Sequence, residues 1–191
     1  MKSFKEALTK LEKRAFEIQM EYFKIPPEER GRRFYSMELV GEMGEVLNGC
    51  KKFLRTKLEH RRENHAKVEI PEETADTLVG LMLVKLASKD SRQAEPAFPE
   101  SVPENDVAWL HLCLSKLAVQ TSSLYEEEAR PDVPVPSSGE PGSDESFDIK
   151  LYEKIVESLL CVAAYFNFNL EEAATEKLTA IIEKVEAGYY D

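Results

Sequence analysis

Residues 70–87 read IPEETADTLVGLMLVKLA, and this stretch decides the fold. Pro71 followed by Glu72 and Glu73 has the form of a helix start, with proline and acids in the first turn. The spacing predicts a helix over 71–87. Leu78, Val79, Leu81, Met82, Leu83, Val84 and Leu86 then encircle it almost completely with apolar groups. A helix that is apolar all round belongs in a core, so the other helices must pack around this one.

Upstream, residues 37–49 read MELVGEMGEVLNG. Leu39, Met43, Val46, Cys50 and Leu54 recur at helical spacing, the core face of a long helix from about 27 to 58. A first helix is expected over 3–24, ended by Pro26 and Pro27. The polar residues 59–69 predict a loop. Past a proline-bearing connector at 89–104, a fourth helix is expected over about 105–127, with Val107, Leu110, Leu114, Leu117 and Leu124 as its stripe. A fifth follows over 148–166. A sixth starts at Asn169, an N-cap with Glu172 three residues on. The segment 129–147, rich in proline, glycine and serine, reads as a flexible loop.

Nothing in these patterns calls for a strand. The expected architecture is a single all-α domain around a four-helix core, built from helical hairpins at 28–87 and 105–166. At 191 residues the chain suffices for one such core.

Composition narrows the function. The net charge of -11 argues against a general nucleic-acid binder. No stretch has the length and apolarity of a membrane span, and the charged N-terminus does not read as a signal peptide. Cys50, Cys113 and Cys161 are widely spaced, which suits buried thiols in a reducing cytoplasm.

Four acids stand out against this background. Glu42 and Glu45 are three apart on one helix, and Glu73 and Asp76 three apart on the next, so each pair shares a helix face. Glu42 lies ~40° from Val46 at about 100° per residue, at the edge of the core stripe. Gly41 and Gly44 cost about 1 kcal/mol each against alanine inside a helix, which points to a close neighbour or a ligand beside them. Glu73 has a structural explanation as a first-turn acid on the helix dipole. Asp76 has none, being a poor helix former at the entry to an apolar run. Four convergent carboxylates would suit a hard cation.

The stretches LVGEMGEVLNG and EETADTLVGLMLVKLA together resemble the all-α nucleoside triphosphate pyrophosphohydrolases, the MazG-like superfamily with its dimeric dUTPase and dCTP pyrophosphatase branches. That family carries E-E-x-x-E on one helix and E-x-x-D on the next. Here the first position is Gly41, and the rest map onto Glu42, Glu45, Glu73 and Asp76. YFNFNLEEAATEKL is similar to the family's closing turn and helix, with Lys177 at its lysine. The family's following Asn position holds Ile181.

The resemblance implies a hydrolase that cuts a nucleoside triphosphate to the monophosphate and pyrophosphate. It implies Mg²⁺, replaceable by Mn²⁺, held by Glu42, Glu45, Glu73 and Asp76, with Glu42 or Glu45 as catalytic base. Lys177, Arg33 and Tyr35 are candidate substrate contacts, and a homo-oligomer is expected. Two alternatives stay open: a nucleotide-binding or regulatory protein of weak turnover, and a purely structural helical protein whose acids serve solubility.

Overall fold

The computed structural model describes residues 4–58, 66–103, 106–129 and 147–189. Among them the chain forms seven α-helices and no strand, an all-α bundle. These are α1 (Phe4–Ile18), α2 (Pro27–Arg30), α3 (Arg32–Leu58), α4 (Ala66–Ala87), α5 (Val107–Ala129), α6 (Ile149–Phe166) and α7 (Leu170–Glu186). A π-helical turn, Gln19–Phe23, extends α1.

The core is the predicted one. Leu78, Leu81, Met82 and Val84 of α4 are fully buried, as are Leu39, Val46 and Cys50 of α3. α3 packs on α4 and on α5, and α6 packs on α5 and on α4, which closes a four-helix square within one chain. α1 and α7 lie against each other and against α4. Two glycines set how closely α3 and α4 approach. A Cβ on Gly80 would sit 3.5 Å from Leu39 Cα, and one on Gly49 would sit 3.2 Å from Ile70 Cγ1. Leu39 thus faces Gly80 while Gly49 faces Ile70, so the two helices run antiparallel.

Three boundaries differ from the sequence expectation. The long helix from 27 to 58 is broken at Gly31, whose φ of 83° falls where residues with a Cβ are strained. The first helix ends as α-helix at Ile18, and the π turn then closes on a left-handed Lys24. α4 begins at Ala66, inside the predicted loop, so Pro71 lies within the helix and does not open it. Tertiary contacts hold this extra turn. Ile70 is fully buried against Gly49. Lys52 Nζ of α3 donates to Glu69 Oε2 at 3.0 Å. Residues 59–65 of that loop and 130–146 of the proline-rich segment lie outside the described residues. At the edges of that segment Ala129 ends α5, and Phe147 is buried.

Side-chain caps open the two last helices. Asp148 caps α6 by accepting from the Lys150 and Leu151 backbone N–H groups. Asn169 caps α7 by accepting from Glu171 N and Glu172 N. Among the described residues, no helix is long and apolar enough to cross a membrane. The three cysteines are free. Cys113 and Cys161, far apart in sequence, meet across α5 and α6 within side-chain hydrogen-bonding contact.

Candidate metal centre

The antiparallel α3–α4 register brings the acids of the two helices together. One carboxylate oxygen each from Glu42, Glu73 and Asp76 lies within 4.8 Å of the others. All three side chains are half-buried. Glu45 stands outside this triad at the exposed edge of α3, although its charge still acts on Glu73. The early start of α4 also removes the first-turn explanation for Glu73. The acid in that first turn is Glu69.

Burial and mutual repulsion shape the triad's electrostatics. The Glu42 carboxyl is raised above its usual range by desolvation, then by the charges of Asp76 and Glu73. Glu73 is raised by desolvation and by Asp76 and Glu45. Asp76 is raised by desolvation, against the opposing pull of Lys177. Carboxyls raised in this way hold a proton, or a cation, more readily than exposed ones.

A cation is already built in. Lys177 Nζ from α7 donates to Asp76 Oδ2 at 2.5 Å and lies 3.6 Å from Glu72 Oε1. Desolvation lowers the Lys177 ammonium, but Asp76, Glu72 and Glu42 together carry its pKa above the ordinary value. Three carboxylate oxygens within 4.8 Å of one another form a donor set that fits a hard, oxygen-loving cation such as Mg²⁺. The fourth predicted ligand, Glu45, has no place in the tight group.

Gly41 and Gly44 are not explained by packing. A Cβ at either would meet nothing within 4 Å. The close approaches belong instead to Gly49 and Gly80. Open space beside Gly41 therefore leaves room for a ligand along the acidic flank of α3.

A pocket of about 410 Å³ is lined by residues that neighbour the triad and Lys177 on the same helices, though not by those four themselves. Its lining includes Glu38, one turn before Glu42, Val79, three residues after Asp76, and Leu178, next to Lys177. The far wall comes from Ile18, Gln19 and Phe23 at the π turn, with Arg30 and Tyr35. Tyr35 is buried, and its hydroxyl donates to Gln19 Oε1 at 3.2 Å. Arg30 lies 5.4 Å from the Phe23 ring centroid. Arg33 sits on the exposed surface of α3, so Arg30 is the arginine of this pocket. Sequence reasoning missed Arg30, Gln19 and Glu38. Of the available signals, only the four-residue spacing of Glu38 from Glu42 could have found one of them.

A larger groove, about 560 Å³, lies between α3 and α5 and has no acidic lining. No family model, curated protein or solved structure matches this chain.

Proposed function

We propose that this protein hydrolyses a nucleoside triphosphate at its α-phosphorus, releasing the monophosphate and pyrophosphate, with Mg²⁺ held by Glu42, Glu73 and Asp76. The observation that carries this reading is the convergence of those three carboxylates to within 4.8 Å of one another, with Lys177 on Asp76 and a pocket lined by neighbouring residues of the same helices. The pocket's volume lies within the range of about 300–1,000 Å³ usual for small-molecule sites.

Bound Mg²⁺, or Mn²⁺ in its place, would polarise the phosphoryl oxygens and lower the pKa of a coordinated water. The residues of the chain do the rest. Glu45, close to the triad and exposed, is the carboxylate available to accept the proton of the attacking water. Lys177, which donates to Asp76, would offset the charge of a triphosphate bound beside it. Gln19, Arg30 and Tyr35 offer polar groups to a base or sugar, and the ring of Phe23 offers an apolar wall.

The test is a pyrophosphate-release screen over the common ribo- and deoxyribonucleoside triphosphates with Mg²⁺. Turnover is expected with one or a few of them. It should fall by about 10²-fold or more in Glu45→Gln, the range spanned by loss of an acid–base group, and Glu42→Gln should lower it through weaker Mg²⁺ binding. No release from any triphosphate, with no Mg²⁺-dependent rise in Tm, would sink the proposal.

One observation favours a second reading, a nucleotide-binding protein without turnover. Ile181, where the resembling family has Asn, contributes an apolar side chain to the pocket. Titration with a non-hydrolysable triphosphate analogue separates the two, since binding without turnover supports the second.

A further inference from the structure

The groove between α3 and α5 is unused by the site above. Helical geometry places it on the other flank of α3, with Lys51 ~180° from Glu42 at about 100° per residue. Leu47, Leu54, Leu114 and Ala118 supply its apolar surface. Lys51 and Arg55 stand one turn apart along the α3 side, and His111 stands opposite on α5.

The lining of this groove carries Lys51, Arg55 and His111 and no acid. In a chain of net charge -11, Lys52 is paired with Glu69, Lys85 with Glu12 and Lys177 with Asp76. Neither Lys51 nor Arg55 has an acidic partner among the described residues, and both are exposed at the rim. An apolar trough of about 560 Å³ with positive charge and no acidic lining along one edge complements one kind of molecule. That molecule has an apolar body and an anionic head.

We propose that the α3–α5 groove binds a small amphiphilic anion, a medium-chain carboxylate. Its chain lies along Leu47, Leu54 and Leu114, and its head is held by Lys51 and Arg55. The stretch from Leu47 to Arg55 covers about 12 Å of helix, room for an extended acyl chain. Arg55 can grip a carboxylate with two parallel N–H donors, which a lone lysine cannot do.

The test is isothermal titration of the full chain with decanoate, alongside acetate and decylamine hydrochloride. Decanoate should bind saturably at one per chain, while acetate and the cationic amine show no saturable binding. In the double variant Lys51→Ala/Arg55→Ala, whose exposed positions leave the fold intact, decanoate should bind about tenfold more weakly or worse, as expected for loss of charge-assisted hydrogen bonds. Ala118→Phe, which fills the trough, should abolish binding while circular dichroism stays unchanged. Equal binding of the amine and the acid would overturn the proposal, as would unchanged affinity in the double variant. Sedimentation supplies a third check: a wild-type dimer that Ala118→Phe dissociates would mean that a second copy of the chain covers the groove, and would also overturn it. None of these outcomes depends on whether Glu42, Glu73 and Asp76 hold a metal.

Discussion

Gly41 and Gly44 lie on the same helix and are equally open, yet they face different surroundings. With nothing within 4 Å of a Cβ at either, Gly→Ala should recover most of the helix-propensity difference, about 1 kcal/mol each. Their directions differ. On the wheel Gly41 lies ~40° from Glu45 and ~60° from Glu38, whereas Gly44 points ~160° away from Glu42. If substrate lies along the acidic flank, Gly41→Ala raises Tm but raises KM for the triphosphate. Gly44→Ala raises Tm and leaves KM alone. Thermal melts with steady-state kinetics on both variants check this, and an identical kinetic response at the two positions would show that the flank of Gly41 is not used.

At the scale of the elements, the least expected contact joins α1, α4 and α6. Lys85 Nζ of α4 donates to Glu12 Oε1 at 2.8 Å and Oε2 at 2.7 Å, and the Tyr152 hydroxyl of α6 donates to Glu12 Oε1 at 2.7 Å. The Lys85 side chain is 4% exposed and that of Glu12 14%, so both charges depend on each other. Lys85→Met strands a carboxylate and should cost about 3–5 kcal/mol, the usual effect of breaking a buried pair from one side. Adding Glu12→Leu should restore most of that loss, because the desolvation cost disappears along with the pair. Urea denaturation of the three proteins measures both steps, and a loss below ~1 kcal/mol in Lys85→Met would contradict the anchoring role. Since α1 leads into the π turn that walls the pocket, this contact also places Gln19 and Phe23.

The same scale shows what the sequence could and could not reveal. Leu78 to Leu86 identified the central helix because a helix apolar on every side reports burial directly. Asn169 marked the start of α7 because a cap is a local event. Pro71 misled because its local preference was outweighed from outside the segment: Ile70 on Gly49 and Glu69 on Lys52 hold one more turn of α4 in place. The acids were legible as helical pairs, but which three converge depends on the α3–α4 register, and no spacing within either helix encodes that. Arg30 and Gln19 were invisible for the same reason, being brought to the site by the break at Gly31 and by the π turn.

Seen whole, the chain closes its four-helix core alone, so association with other chains is not needed to cover α3 and α4. Its response to protons and metal should then be a property of the single chain. Glu42, Glu73 and Asp76 all have raised pKa values, so the folded state binds protons more tightly than the unfolded state. Stability of the metal-free protein therefore increases as pH falls through those raised values toward the ordinary carboxylate range. Below that range the sign reverses. Burial raises Asp90, but Arg92 holds it below its usual pKa, and Lys150 with the Glu95 backbone N–H outweighs burial in the same way at Glu153. The stability these two supply is lost as they protonate. Saturating Mg²⁺ inverts the first slope, because the ion needs the deprotonated carboxylates and protons compete with it. At a hundred times its Kd the ion adds about 2.7 kcal/mol, a gain that acid removes. Tm measured between about pH 8 and pH 5 should thus rise on acidification without Mg²⁺ and fall with it. Glu73→Gln should flatten both slopes, which distinguishes the triad from the general relief of negative charge that acid brings to an acidic protein. Parallel slopes with and without Mg²⁺ would mean that the three carboxylates do not share an ion.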